Sequence, residues 1–194
     1  YEALYANTTG DYNIALGITA LGANTTGDNN VGIGRLALTN NTTGTRNIAI
    51  GTEAYAGSDT EIDNIAIGYQ AMTTNTAGGQ YNTAIGNYAL DANTSGDDNV
   101  AVGYLALSAN TTAIRNVAIG NRALLANTTG NDNISMGVSS LSTNTTGSFN
   151  TALGRLALQL NTTGYNNAAV GNNALQANTT GQSLTASGFY ALKA

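Results

Sequence analysis

The acidic side chains come first among the residues that could do chemistry. Asp97-Asp98 and the alternating run Asp59, Glu61, Asp63 bring carboxylates close together in sequence. Such groupings could ligate calcium or act as an acid–base pair. A calcium loop needs several oxygen ligands at fixed offsets, and neighbouring segments do not reproduce these acids, so turn charge in contact with solvent is the expected reading. The cations Arg35, Arg46, Arg115, Arg122, Arg155 and Lys193 are scattered along the chain and read as surface charge, not as a cleft for phosphate or sugar acids. Gly96-Asp-Asp-Asn-Val-Ala-Val-Gly103 is glycine-bounded but lacks the Lys-Ser/Thr ending of a phosphate loop. Serines have no base beside them, and a pairing with Lys193 has no support.

Three further groups concern binding more than catalysis. Tyrosines at 5, 12, 55, 69, 81, 88, 104, 165 and 190 could pack at chain interfaces or stack on sugar rings. Asn-Thr-Thr recurs as a glycosylation acceptor pattern, yet a repeated turn already accounts for it. Paired threonines such as Thr25-Thr26, Thr42-Thr43, Thr128-Thr129 and Thr162-Thr163 could form an ice-binding array. Adjacent residues of an extended chain face opposite ways, so each pair offers one outward hydroxyl per repeat.

Composition narrows the classes. The chain of 194 residues has no His, Cys, Pro or Trp. It therefore lacks the usual general base and near-neutral switch, thiolate ligands, cysteine nucleophiles and disulfides. A net charge of -5 with six Lys+Arg argues against nucleic acid as a partner. No apolar run approaches the ~20 residues of a membrane span, and no signal peptide is visible. Only 9% of residues are charged, against about 25% in ordinary domains; Asn, Thr and Gly fill the polar share. These features favour a non-enzymatic scaffold with no catalytic residue, cofactor or metal.

The elements that carry these residues follow from one period. The motif Asn-[Val/Ile]-Ala-[Ile/Val]-Gly closes at Gly17, Gly34, Gly51, Gly68, Gly86, Gly103, Gly120, Gly137, Gly154, Gly171 and Gly188, at steps of 17 residues except for 18 between Gly68 and Gly86. The full unit is N-[VI]-A-[IV]-G-x-x-A-L-x-x-N-T-T-G-x-x, numbered here 1 to 17 from its first Asn. Leu184 replaces that Asn in the last copy, and Ser58 replaces the Asn of position 12 in one other. The extra residue falls near 78–81, which should bulge outward. The array covers 1–194 as a single domain, and because the chain starts within a motif it reads as a fragment of a longer one.

Bulky, small, bulky at positions 2 to 4 predicts a short strand with positions 2 and 4 on one face. Positions 8 and 9 predict a second short strand or a corner with Leu inward, and NTTG predicts a turn. Glycine at positions 5 and 15 argues against helix. The predicted fold is all-β: a parallel β-solenoid or β-roll of eleven 17-residue rungs, with stacked Asn amides at positions 1 and 12. Three bulky side chains per rung, buried at about 2 kcal/mol each, are a thin core for 17 ordered residues. Chains are therefore expected to associate side by side, a homotrimer being the natural closed form.

Segments such as Asn47-Ile-Ala-Ile-Gly-Thr-Glu-Ala54 and Asn116-Val-Ala-Ile-Gly-Asn-Arg-Ala123 resemble the head repeats of trimeric autotransporter adhesins. The longer unit is similar to repeats of bacteriophage tail fibres and related surface fibres. The resemblance implies a trimer of left-handed parallel β-rolls, although the adhesin-head unit is shorter than 17 residues. It implies an extracellular structural segment, a shaft or head of a virion tail fibre or microbial surface adhesin, supporting attachment to a host. The partners expected are copies of the chain and a cell-surface glycan or protein, without nucleic acid or membrane insertion. Direct glycan binding and ice binding are the alternatives. On this reading Ile50→Asp or Ile119→Asp disrupts assembly while Arg122→Ala is nearly silent; equal tolerance in a sedimentation assay would refute the face assignment.

Overall fold

A computed structural model describes residues 1–75 and 78–192. Among the described residues there is no helix. Eleven three-residue strands, β1 (Ile14–Leu16), β2 (Val31–Ile33), β3 (Ile48–Ile50), β4 (Ile65–Ile67), β5 (Thr83–Ile85), β6 (Val100–Val102), β7 (Val117–Ile119), β8 (Ile134–Met136), β9 (Thr151–Leu153), β10 (Ala168–Val170) and β11 (Thr185–Ser187), form one sheet in sequence order. Each pair is parallel and equivalent residues lie side by side: Ile48 beside Ile65, Ala49 beside Ala66, Ile50 beside Ile67. Ile33, Ile50 and Ile67 therefore line up along one axis. The chain is a parallel β-solenoid whose eleven rungs, at about 4.8 Å each, span roughly 50 Å.

The outline of a rung follows from which residues face in. Position 3 is buried (Ala49, Ala66, Ala84 and Ala101 are fully covered), as are position 8 (Ala37, Ala54) and position 9 (Leu21, Leu38, Leu107). The interior has no room for more: a Cβ placed on Gly32 would lie 3.1 Å from Leu21 Cγ and 3.3 Å from the Ala37 carbonyl oxygen. Positions 2 and 4 do share a face, but it is the outer one. Ile50, Ile85 and Ile119 are between a third and two-fifths exposed. The expected burial of positions 2, 4 and 9 together is corrected here: only the Leu of position 9 is inside with the alanines. The small residues at positions 3 and 8 bring opposite walls of one chain together. Positions 8 and 9 form a turn, not a second strand.

Positions 1 and 12 supply most of the buried polar groups, and both ladders are satisfied. At position 1, the side-chain oxygen accepts from the backbone N–H of the next Asn (Asn30 N to Asn13 Oδ1 2.9 Å; Asn116 N to Asn99 Oδ1 3.0 Å). The same side chain donates to the position-15 carbonyl of that turn (Asn30 Nδ2 to Gly44 O 2.8 Å; Asn133 Nδ2 to Gly147 O 2.9 Å). At position 12, each amide donates to its predecessor (Asn41 to Asn24 2.8 Å; Asn161 to Asn144 2.9 Å) and to the carbonyl three residues on. These side chains add to the backbone bonds that already join the turns of successive rungs, such as Leu38 N–H to Ala54 O at 3.1 Å and Thr25 N–H to Thr42 O at 2.9 Å.

The second ladder is interrupted once and repaired locally. Ser58 stands where an Asn is due, and it reaches Asn41 Oδ1 at 3.3 Å. The vacant amide position is taken from the side by Tyr55, which replaces Leu in the core: its hydroxyl accepts from Asn75 Nδ2 at 2.9 Å and Asn64 Nδ2 at 2.6 Å. The 18-residue rung follows at once. Gly78 is exposed at φ +103 with open space around it, while Gly79 is buried and restores register.

Three positions per rung other than glycine take a left-handed backbone: position 7 (Leu105, φ 54), position 9 (Leu107, φ 52) and position 17 (Asp98, φ 57). Left-handed geometry costs L-residues about 1 kcal/mol or more each, so the coil holds its turns against local preference. Position 5 is stricter. Gly103 has φ +135, and a Cβ there would sit 2.6 Å from the Gly120 carbonyl oxygen. Gly103→Ala is expected to lower stability by about 3 kcal/mol or more. Asp98→Gly, at an exposed left-handed site, should raise it by about 0.5–1 kcal/mol. Denaturant midpoints of the two variants check the pair; a rise for Gly103→Ala would contradict the packing described.

Candidate interaction surfaces

Among the described residues no cleft of ligand-binding size is present, and no group of three or more acidic, His or Cys side chains is gathered tightly enough to hold a metal ion. Nor is any helix long and apolar enough to cross a membrane. What the rod offers is a set of outward ladders.

The candidate acids separate once folded. Asp97 caps the backbone N–H of Gln80 at 2.8 Å, while Asp98 points to solvent. Asp59 accepts from the Thr42 hydroxyl. Asp63 is held bidentately by Arg46 at 2.6 and 2.7 Å, and Asp132 by Arg115 at 2.7 and 2.9 Å. Glu61 corrects the expectation of solvated turn charge: it is 2% exposed. It occupies position 15 and accepts from the backbone N–H of Asp59 (2.8 Å), Thr60 (3.1 Å) and Gly78 (3.1 Å). Arg35 pairs with Glu53, which also accepts from Gln70 at 2.6 Å. Lys193 lies outside the described residues. Gly96–Gly103 is an ordinary rung turn leading into β6.

The internal Asn-Thr-Thr sites have buried asparagines (Asn24, Asn41 and Asn127 are fully covered), so the folded rung closes them to a glycosylating enzyme, whereas Asn7 in the first turn is exposed and Asn178 near the other end is half-buried. Threonine at position 13 is also committed, donating to the next rung's carbonyl, as Thr25 does to Thr42 O (3.1 Å) and Thr94 to Thr111 O (2.9 Å). Position 14 is left exposed at Thr26, Thr43, Thr112, Thr129, Thr146 and Thr163. The outcome is one file of hydroxyls per rod, as the alternation of facing directions requires.

Tyr69, Tyr88 and Tyr104 pack edge-to-face on three successive rungs, with centroids 5.4 and 6.2 Å apart. The first and last remain 40% and 45% exposed. Sequence reasoning missed this grouping, because Tyr88 is at position 7 while the others are at position 6. Burial, followed by Tyr69, pushes the Tyr88 phenol up, and burial raises the carboxyl of Asp91, whose Oδ1 is buried without a partner.

The largest continuous feature is the outer strand face. In β1 to β8, two outward residues per strand make sixteen, and fifteen are Ile, Val, Leu or Met; Thr83 is the exception. Over eight rungs such a face is three residues wide and about 38 Å long, on the order of 400 Å². That is the size of the largest apolar patch a monomer ordinarily leaves uncovered, about 300–600 Å². Comparison with family models, curated proteins and solved structures finds no match.

The charge pattern sets the expected pH response. Hydrogen bonds from Arg46 and Arg115 hold Asp63 and Asp132 below the usual carboxylate range, and Gln70 with Arg35 does so for Glu53. Folded values lowered in this way give stability that is present above the ordinary range and lost as pH falls through them. Asp91 runs the other way: its raised value favours the fold below the ordinary range, and that contribution is lost as pH rises through it. Exposed pairs count little, and the ladder amides do not titrate. The unfolding midpoint should therefore be flat between about pH 5.5 and 8.5 and fall only in acid; a steep change inside that window would contradict a stack held by uncharged backbone and side-chain amides.

Proposed function

We propose that this chain is a structural fibre segment, a rigid shaft or head of a virion tail fibre or microbial surface adhesin. In this reading it lies outside the cell, assembles as a homotrimer and supports attachment to a host or surface. The observation that carries the reading is the outer strand face. An apolar strip of this length needs a cover, and its side chains recur at the rung pitch of about 4.8 Å. A partner with the same pitch is complementary along the whole length, and another copy of the chain supplies it. Three copies close the arrangement about one axis, with the coil left-handed as in the adhesin heads the motif resembles. The rod itself suits a spacer. Nearest-neighbour ladders give every rung support from both sides, so order extends along the axis.

A second reading, direct binding of a glycan, draws on the exposed rings of Tyr69 and Tyr104, held edge-to-face by Tyr88 between them, which could stack on sugars. The single file of threonine hydroxyls makes ice binding a weaker alternative. Sedimentation equilibrium distinguishes the main reading: three times 19.6 kDa is expected, with Ile119→Asp sedimenting as a folded monomer of unchanged far-ultraviolet dichroism. A wild-type monomer at micromolar concentration would overturn it. Glycan-array binding lost in Tyr88→Ala would move weight to the second reading.

A further inference from the structure

A ladder that repeats every rung creates a problem for any partner that reads it. Ile48 and Ile50 of β3 are followed by Ile65 and Ile67 of β4 at the same places on the sheet. A second copy displaced by one rung would meet the same side chains as one in register. Apolar burial fixes that two such faces meet, and leaves their axial offset free. Of the charged residues two places before a strand, Arg46 and Arg115 are engaged by Asp63 and Asp132 of their own chain, and Asp98 is exposed to solvent, where water screens it.

One residue breaks the uniformity. Thr83 is the single hydroxyl among the outward residues of β1 to β8. It lies at the middle of the sheet, in the first rung after the 18-residue unit, between Ile65 and Val100. Its hydroxyl has no hydrogen-bond partner among the described residues, and the residue is half-buried. Its backbone N–H is spent on Asn99 O at 2.8 Å. The other outward threonines, Thr151 and Thr185, flank Ala168 at the far end; a one-rung slip there sets Thr against Ala168, and Thr151 against Ile134 on its other side, so Thr151 adds to the same selection from the edge of the apolar strip while Thr83 acts at its centre.

We infer that Thr83 sets the axial register in which copies of this chain associate. The inference rests on the side-by-side assembly proposed above and names the residue that fixes its alignment. In register, the Thr83 residues of three copies stand at one level. Each hydroxyl donates once and accepts, so three can close on one another. One rung out of register, each faces Ile65 or Val100 of a neighbour and is buried without a partner, which is penalised far more than a missing apolar contact. A lone polar residue in an apolar seam specifies alignment in the same way in coiled coils.

The chain has no cysteine, so introduced thiols are the only ones present. Differently tagged chains carrying Val102→Cys or Ile119→Cys, which occupy equivalent places one rung apart, are co-expressed and oxidised. With Thr83 present, same-position disulfides are expected and mixed 102–119 disulfides should be scarce. In a Thr83→Val background the mixed species should rise several-fold with the sedimentation mass unchanged. Thr83→Ser should retain the original pattern. An unchanged pattern in Thr83→Val, or abundant mixed species with Thr83 intact, overturns the register role while leaving the assembly standing. A monomeric wild type overturns the assembly itself and the register with it.

Discussion

Backbone and side-chain amides together hold successive turns in place. Only three residues per rung belong to a strand, yet backbone bonds to the neighbouring rung continue through the turns, as from Leu38 N–H to Ala54 O at 3.1 Å, Thr42 N–H to Asp59 O at 2.8 Å and Arg46 N–H to Asp28 O at 3.0 Å. The asparagines at positions 1 and 12 complete the tie at backbone groups those bonds leave open. Asn99, for example, accepts from the next rung's Asn116 N–H through its oxygen and donates to the Ala113 carbonyl through its nitrogen. One side chain thus satisfies two backbone groups of the neighbouring turn that would otherwise be buried unpaired, and each such group left bare would cost about 1–3 kcal/mol.

Much else follows from that demand. Two interior asparagine columns leave only a narrow space for apolar residues, which alanine fills at positions 3 and 8 and leucine at position 9. At position 3 nothing larger than alanine or serine is found inside, so the β-branched residues of the strands are directed outward; position 9 admits Tyr55, in the rung where Ser58 replaces the asparagine. The turns must also present carbonyls and N–H groups along the axis. They do so at the cost of left-handed geometry at leucines, arginines and aspartates that would not choose it. Where the fit is disturbed, the amide contacts register it. Ala113 in place of glycine at position 15 coincides with an Asn127–Asn110 contact stretched to 3.4 Å, and the extra residue near Gly78 with an Asn93–Asn75 contact of the same length.

The period, the parallel stack, the strand positions and both asparagine ladders were legible in the sequence because repetition multiplies each weak local signal. The facing of the strand was not. Alternation shows that Ile48 and Ile50 share a side, yet it does not say which side is the interior, and hydrophobicity pointed to the wrong one. The deciding quantity is the space left after the asparagines are inside, which is a property of the closed coil. The left-handed leucines gave no signal either, since leucine carries no local preference for positive φ. Glu61 misled for a related reason: an acid in a turn reads as solvated until the turn is seen to offer it three backbone N–H groups. The tyrosine trio was hidden by the one-residue offset between positions 6 and 7.

In the assembly proposed above, stiffness would come from the amide-bonded rungs within each chain and cohesion from the apolar outer faces between chains. The measurement that bears most directly on this account is hydrogen exchange of the asparagine side-chain amides followed by nuclear magnetic resonance. The Nδ2 protons of Asn47, Asn99 and Asn150 should be protected to nearly the same degree as the strand backbone, while those of Asn121 and Asn166 on the outside exchange freely. Equal, rapid exchange at all five, with the strands still protected, would show that the amides do not carry the stack.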